Sequence, residues 1–324
     1  MTSVAIVGAG AIGGWLADAL LRAGWSVSLV ARGTTLKVLQ EVGLRVSTQR
    51  GSNLSRPRAG TPEQLGIQDF VILTVKAHML PGLAQNLAPL IGPVTRVVSG
   101  TNGIPWWFFH DFGGVLANRT LQSVDPKGSQ NRVFPPAGAL GSVVHATARV
   151  AAPADIEVLA AERLLVGEPC GGVGEHVAAL VAALQAGGIP AQASRDIRLD
   201  VWKKLWGNMT FNPVSALTRS GTQRLFADAD VSQVCVQMME EMQACGARLG
   251  LKLDMTPPQR IEVAARLGDF KTSMLVDLEA GRPLELAPQL GAVAEIAGVL
   301  QVPAPFIRAI LGMARLLSEH TAGT

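Results

Sequence analysis

The chain has 324 residues, 48% of them hydrophobic and 16% charged, with a formal net charge of +3, which predicts about two domains with large cores, excludes disorder, and leaves no basic stripe interleaved with aromatics for nucleic acid. The apolar excess is not a membrane signal: the two longest uncharged runs, 77–95 and 176–194, are broken by three prolines and by Gly187-Gly188-Ile189-Pro190, so neither is a continuous apolar helix of about 20 residues. Three scattered cysteines make no disulfide framework and no metal-ligand spacing, and the N-terminus carries no Lys/Arg-rich leader; a cytoplasmic protein with no metal and no membrane partner is expected.

Residues 2–7 read as a short buried strand. It runs directly into Gly8-Ala9-Gly10-Ala11-Ile12-Gly13, which satisfies G-x-G-x-x-G. Residues 15–22 then follow a helical pattern, and 26–31 alternate toward a second strand. That strand–turn–helix–strand context is what the motif needs to bind a dinucleotide. The glycines allow a tight turn and close backbone approach to a pyrophosphate, and the helix N-terminus offers free N–H groups to the anion.

The end of the second strand selects between cofactors. An acid there bonds a ribose 2′-OH, whereas an arginine accommodates a 2′-phosphate. The strand ends Val30-Ala31-Arg32-Gly33, with no acid, and the region 22–58 carries seven Arg or Lys against Glu41 alone. NADP(H) is therefore the expected cofactor.

Residues 66–76 form another buried strand with Lys76 just past its end. A helix over 80–90 and a strand over 96–99 follow. Asn102 then stands in a turn at a strand's C-terminal end, where ligands of open α/β sheets bind. The stretch 104–136 is less regular; Trp106-Trp107-Phe108-Phe109 within it reads as packing or as an aromatic cover over a site. Strands are expected over 139–148, 156–159, 163–166 and 190–194, and a helix over 174–186.

From Ile197 the pattern is helical: 197–212, 232–249, 258–266, 273–280, 284–300 and 304–319. The expected division is an α/β Rossmann-type domain over 1–196 and an all-α substrate and dimerisation domain over 197–324. In the first of these helices Lys204, Asn208 and Asn212 recur at i, i+4 and i+8, so they share one face. A lysine in partly apolar surroundings has a lowered pKa and can donate a proton near neutrality. The chain has no tyrosine, which removes the Tyr-Lys chemistry of short-chain dehydrogenases. Farther on, Ser273 reads as a helix cap, Asp277 as a solvated charge, and Glu285 as an acid among apolar neighbours.

These motifs resemble the ketopantoate reductase (2-dehydropantoate 2-reductase) family along the whole chain. The resemblance lies in the opening GAGAIGG, Arg32, Val75-Lys76-Ala77, Asn102-Gly103, the segment WKKLWGNMTFNP at 202–213, and the segment from Ser273 to Glu285. It implies a C-terminal domain of the 6-phosphogluconate dehydrogenase C-terminal type and hydride delivery from NADPH to the C2 carbonyl of a 2-oxo acid. It implies Lys204 as general acid, Glu285 holding the substrate hydroxyl and positioning the lysine, Asn208 and Asn212 on substrate polar groups, and Ser273 on its carboxylate. Asn102 and Lys76 would line the cleft between cofactor and substrate. A homodimer fits the family and the apolar helical half. Two features depart from the family pattern: Glu285 is followed by Leu286-Ala287 where an acid is common, and the stretch after Gly103 is long and aromatic. They point to other 2-oxo acids or ketones as alternative substrates. A 3-hydroxyacid-type dehydrogenase would want a different lysine context, and a non-catalytic NADP(H) sensor would not need Lys204 and Glu285.

Overall fold

A computed structural model of the chain describes residues 1–322; the last two residues of the expected 197–324 domain lie outside them. The chain divides into two compact units. The first comprises Met1–Thr101, Pro105–His110 and Lys127–Asp200; the second comprises Asn102–Ile104, Asp111–Pro126 and the described residues from Val201 onward. Among the described residues no helix is long and apolar enough to cross a membrane.

The first unit is Rossmann-like. Its strands are β1 (Ser3–Val7), β2 (Ser26–Val30), β3 (Leu44–Thr48), β4 (Gly51–Ser55), β5 (Arg58–Gly60), β6 (Phe70–Leu73), β7 (Arg96–Ser99), β8 (Ala139–Ala152), β9 (Asp155–Gly167) and β10 (Ala191–Ala193). Its helices are α1 (Ala11–Arg22), α2 (Gly33–Glu41), α3 (Pro62–Leu65), α4 (Leu80–Leu87), α5 (Ser129–Val133) and α6 (Glu175–Ala186). The sheet order is β4-β3-β9-β8-β7-β6-β1-β2-β5, with β10 on β9. The run β8-β7-β6-β1-β2-β5 is parallel throughout, and β8–β9 and β3–β4 are the antiparallel pairs. β6 reads Phe-Val-Ile-Leu and is buried along its whole length, as a parallel strand covered on both faces requires. Around it the core gathers Val4, Ile6, Leu20, Leu29, Ile72, Leu140, Ile156, Val166 and Leu184.

One strand expectation needs correction, and three strands lie outside the expectations. The strands expected over 156–159 and 163–166 are one strand, β9, whose middle is exposed yet stays on the ladder with β8 through register shifts. Apolar alternation stops there, but backbone pairing does not. The elements β3, β4 and β5 carried no expectation: β4 and β5 are short, mostly exposed and give no hydrophobic period, whereas β3 alternates over only five residues, with Leu44 and Val46 buried.

Trp106-Trp107-Phe108-Phe109 is packing, not a cover. All four are buried. The Trp107 indole N–H donates to Ser99 Oγ at 3.0 Å, and that of Trp106 to the Phe134 carbonyl at 2.9 Å. The Arg198 guanidinium donates to the Phe108 carbonyl at 2.9 Å and also to the His110 carbonyl. The backbone carbonyls of this irregular segment are thereby satisfied without a regular element.

The second unit is helical: α7 (Ile197–Thr218, whose first turn belongs to the first unit), α8 (Thr222–Ala227), α9 (Ala229–Leu249), α10 (Pro257–Ala265), α11 (Ser273–Glu279), α12 (Ala292–Leu300) and α13 (Pro305–Ala322). The α7 helix is its centre. Trp202, Leu205, Trp206, Met209, Phe211, Val214 and Ala216 are all buried, so apolar positions occupy more than one face, the mark of an internal helix. The helix runs through Pro213 to Thr218 rather than stopping at Asn212 as expected. Proline removes one helical N–H, but burial of Val214 and Ala216 on the far side holds the helix. The segment 111–126 is tied down by Glu295 of α12, which accepts from the backbone N–H groups of Gln122 and Ser123, both at 2.9 Å, and from the Ser123 hydroxyl at 2.7 Å.

Candidate active site

In the first unit the chain reverses at β1. Strand β2 pairs on one side of it and β6 on the other, so the C-terminal end of β1 is a topological switch point, where α/β sheets bind ligands. The glycine turn occupies that point. Gly8 has φ +106°, in the left-handed region, and a Cβ on Gly13 would lie 1.9 Å from the Gly8 carbonyl oxygen. Only glycine fits there. Thr74, which carried no expectation, locks the turn: its Oγ1 lies 3.0 Å from the Val7 carbonyl oxygen and 2.9 Å from that of Gly8.

Gly10 is the N-cap of α1 and offers no side-chain cap, no acid stands in the first turn, and the space above Gly10 is open. Ala9, Ala11 and Ile12 are half-buried around it. The first N–H groups of α1 are thus presented to an anion, and the turn fits a dinucleotide pyrophosphate. Arg32 is exposed at the end of β2, as the N-cap of α2. Lys76 is half-buried just past β6, where it opens the short 3₁₀ turn Ala77–Met79.

In the second unit Lys204 and Asn208 are half-buried and Asn212 is buried, on the shared face of α7. Burial pushes the Lys204 ammonium down to about 8, and the Glu285 carboxylate acts on it in the opposite direction. Lys203, one position back, makes an ion pair with Asp254 at 2.6 Å. Glu285 is buried between Leu284 and Leu286, which are buried too.

The helix expected over 284–300 begins only at Ala292. Before it a tight turn, with Leu286 N–H on the Leu284 carbonyl at 2.9 Å, leads into a π-turn, Ala287–Gly291, closed by Gly291 N–H on the Leu286 carbonyl at 3.0 Å. Single-turn π segments are frequent at functional sites. This one carries Gln289, which no sequence signal singled out. It is buried, and its Oε1 accepts from Asn212 Nδ2 at 3.4 Å.

Asn102 belongs to this same unit. The Pro288 carbonyl accepts from Ile104 N–H at 2.8 Å, and Gly103, at φ +93°, packs so closely that a Cβ would lie 2.4 Å from that oxygen. The turn bearing Asn102 is therefore pinned to the segment that follows Glu285.

Ser273 is exposed as the first residue of α11, and the cap is Thr272, whose Oγ1 accepts from Leu275 N–H at 3.3 Å. Asp277 is buried and paired with Arg282 at 2.9 Å, not solvated; it clasps the turn that leads to Glu285. Cys235 and Cys245 are buried thiols pushed up to about 12 and about 11, so neither is a ready nucleophile. A half-buried ammonium whose pKa approaches neutrality, opposed by a buried carboxylate, is suited to give a proton to an oxygen that gains charge.

A dinucleotide turn at a sheet switch point, in a chain whose second unit is helical and carries such a lysine, defines a dinucleotide-binding oxidoreductase. Comparison with known proteins narrows the class. Residues 4–105 match the family model Ketopantoate reductase PanE/ApbA, and residues 196–318 match Ketopantoate reductase PanE/ApbA C terminal. A 2-dehydropantoate 2-reductase from Mesorhizobium japonicum is 41% identical over 97% of each chain, and one from Archaeoglobus fulgidus is 27% identical over 96% of each. A crystal structure described as that of a ketopantoate reductase from Ralstonia solanacearum superposes with a TM-score of 0.94 at 42% identity, covering 100% of this chain and 99% of that one. The chain belongs to the ketopantoate reductase family, whose members are oxidoreductases acting on CH–OH groups.

Proposed function

We propose that the protein reduces a 2-oxo acid, 2-dehydropantoate in the first instance, to the 2-hydroxy acid, with NADPH as hydride donor and Lys204 as proton donor. The observation that carries this reading is the Lys204 ammonium, held down to about 8 by burial while Glu285 favours the charged form. When bound, the reduced dinucleotide supplies the hydride that adds to the C2 carbonyl carbon. Negative charge then grows on the carbonyl oxygen, and Lys204 stabilises it and transfers one proton to it. The product is the hydroxy acid; the lysine amine recovers its proton from solvent. Glu285 holds the substrate hydroxyl and keeps the lysine oriented. Asn208 and Asn212 meet the remaining polar groups, Ser273 stands toward the substrate carboxylate, and Asn102 and Lys76 serve the cofactor.

The turn from Gly8 to Gly13 supports dinucleotide binding. Arg32, exposed at a strand end that lacks an acid, supports the 2′-phosphate form. A cytoplasmic homodimer is the expected state. Ala287, standing where the family commonly has an acid, favours widening the substrate set to other 2-oxo acids and ketones. The test is NADPH oxidation across such a panel, with Lys204→Ala alongside. We expect turnover of 2-dehydropantoate and a loss of at least about a hundredfold in kcat for the variant. Near-normal turnover by Lys204→Ala would remove the lysine from the chemistry. NADPH binding without turnover of any ketone would make the protein a sensor.

A further inference from the structure

Arg260, in the first turns of α10, is half-buried against α7. Its guanidinium carbon stands 5.7 Å from the centroid of the Phe211 ring. A Cβ on Gly207 would lie 2.7 Å from its Nη2, so the guanidinium rests directly against the helix where a side chain is missing. Positions 204, 207 and 211 run along one side of α7 at i, i+3 and i+7. Arg260 therefore lies one turn along the same helix from Lys204.

The acids on α10 and just before it are already engaged: Asp254 pairs with Lys203 at 2.6 Å and Glu262 with Arg266 at 2.6 Å. Glu285 acts on Lys204. Among the described residues no carboxylate lies within ion-pair distance of Arg260; the interaction its guanidinium makes is with the Phe211 face, itself backed edge-on by Phe226 with ring centroids 5.0 Å apart. Desolvation disfavours this cation. A half-buried guanidinium is costly until an anion meets it, and its planar fork matches a carboxylate in two parallel hydrogen bonds. Its rotamer is fixed in advance by the aromatic ring below it and the glycine beside it.

We propose that Arg260 receives the carboxylate of the substrate and makes the site selective for 2-oxo acids over uncharged ketones. This rests on the reduction proposed above. It gives the main share of anion recognition to a residue outside the family motif rather than to Ser273, which is a neutral hydroxyl on an exposed helix start. Gly207 becomes a specificity residue at one remove, because its missing Cβ makes the berth.

The experiment compares 2-dehydropantoate with its uncharged internal lactone, using NADPH, for the wild type, Arg260→Gln, Arg260→Lys and Gly207→Ala. For Arg260→Gln the expected result is a fall of about a hundredfold in kcat/KM on the acid, carried mainly by KM, the scale on which removing one partner of a desolvated charge pair acts. Activity on the lactone should change by less than about threefold, and Arg260→Lys should recover part of the loss on the acid. Gly207→Ala guards against simple misfolding. Alanine in a helix interior is intrinsically more stable than glycine, yet its methyl would push the guanidinium aside, so KM for the acid should rise while the melting temperature holds or climbs. Equal losses on acid and lactone, or an unchanged KM for the acid in Arg260→Gln, would overturn the inference and leave the proposed reduction standing. A wild type that turns over no 2-oxo acid would overturn both.

Discussion

The pH dependence of turnover tests the site most directly. Burial takes Lys204 from its ordinary 10.5 to about 8, a net bias against the ammonium of about 3 kcal/mol. At pH 7 about ten ammonium groups remain for each free amine, and at pH 9 the ratio is reversed. If the ammonium is the proton donor, log kcat/KM for reduction should be flat below about 8 and fall with unit slope above it. The Glu285→Gln variant sharpens the test. The carboxylate acts against desolvation, so its removal leaves burial unopposed and should move the limb below about 8. The assay is initial-rate NADPH oxidation at saturating and limiting ketone over pH 6 to 10, as an order-of-magnitude window around that value. The same group enters the stability curve. Between about 8 and 10.5 the unfolded chain binds a proton that the native lysine has released, so this residue makes the fold more stable as pH rises through that window. A limb near 10, or one that Glu285→Gln leaves in place or raises, would refute the reasoning.

Arg32→Asp should lower the ratio of kcat/KM for NADPH over NADH by about tenfold or more, since it replaces a phosphate partner with a like charge; an unchanged ratio would show that Arg32 does not meet the 2′-phosphate. Gly13→Ala drives a methyl into the Gly8 carbonyl and Thr74 Oγ1, so a thermal melt should show at least about 1–3 kcal/mol of lost stability and NADPH should fail to bind in a fluorescence titration; normal melting and binding would contradict the packing of this turn. Trp107→Ala removes a fully buried ring and orphans its bond to Ser99, and urea unfolding should report a loss of about 3–5 kcal/mol; a loss under about 1 kcal/mol would mean that the aromatic run is not core.

What could be read from residues alone was whatever leaves a period or a fixed spacing. The first strand, the glycine turn and the α7 stripe of Lys204, Asn208 and Asn212 repeat at intervals that geometry imposes. Strand β7 matched residue for residue. What escaped detection depends on partners distant in sequence. Asp277 looks like any exposed helix acid until Arg282 folds back onto it. Gln289 sits in an apolar run that suggests helix, and only Pro288 with the 102–104 turn bound to its carbonyl shows why a π-turn forms instead. Arg260 was one more charge in an amphipathic helix, and its berth depends on a glycine 53 positions earlier.

The acid proposed for this site would be made by packing more than by pairing. Desolvation is the larger cause of the Lys204 shift and Glu285 the smaller, opposing one, so the two influences pull the lysine in opposite directions. Apolar residues on several sides of α7 exclude water from the ammonium, and the same residues hold the second unit together. Loosening that core would admit water and return the lysine toward its ordinary value, leaving it fully charged but a weaker acid. Removing Glu285 would do the reverse, giving a stronger acid that is less often protonated near neutrality. A useful donor needs both properties at once, high occupancy and low pKa. On the proposed mechanism, setting a buried carboxylate against the desolvation of Lys204 would reach that compromise with no tyrosine anywhere in the chain.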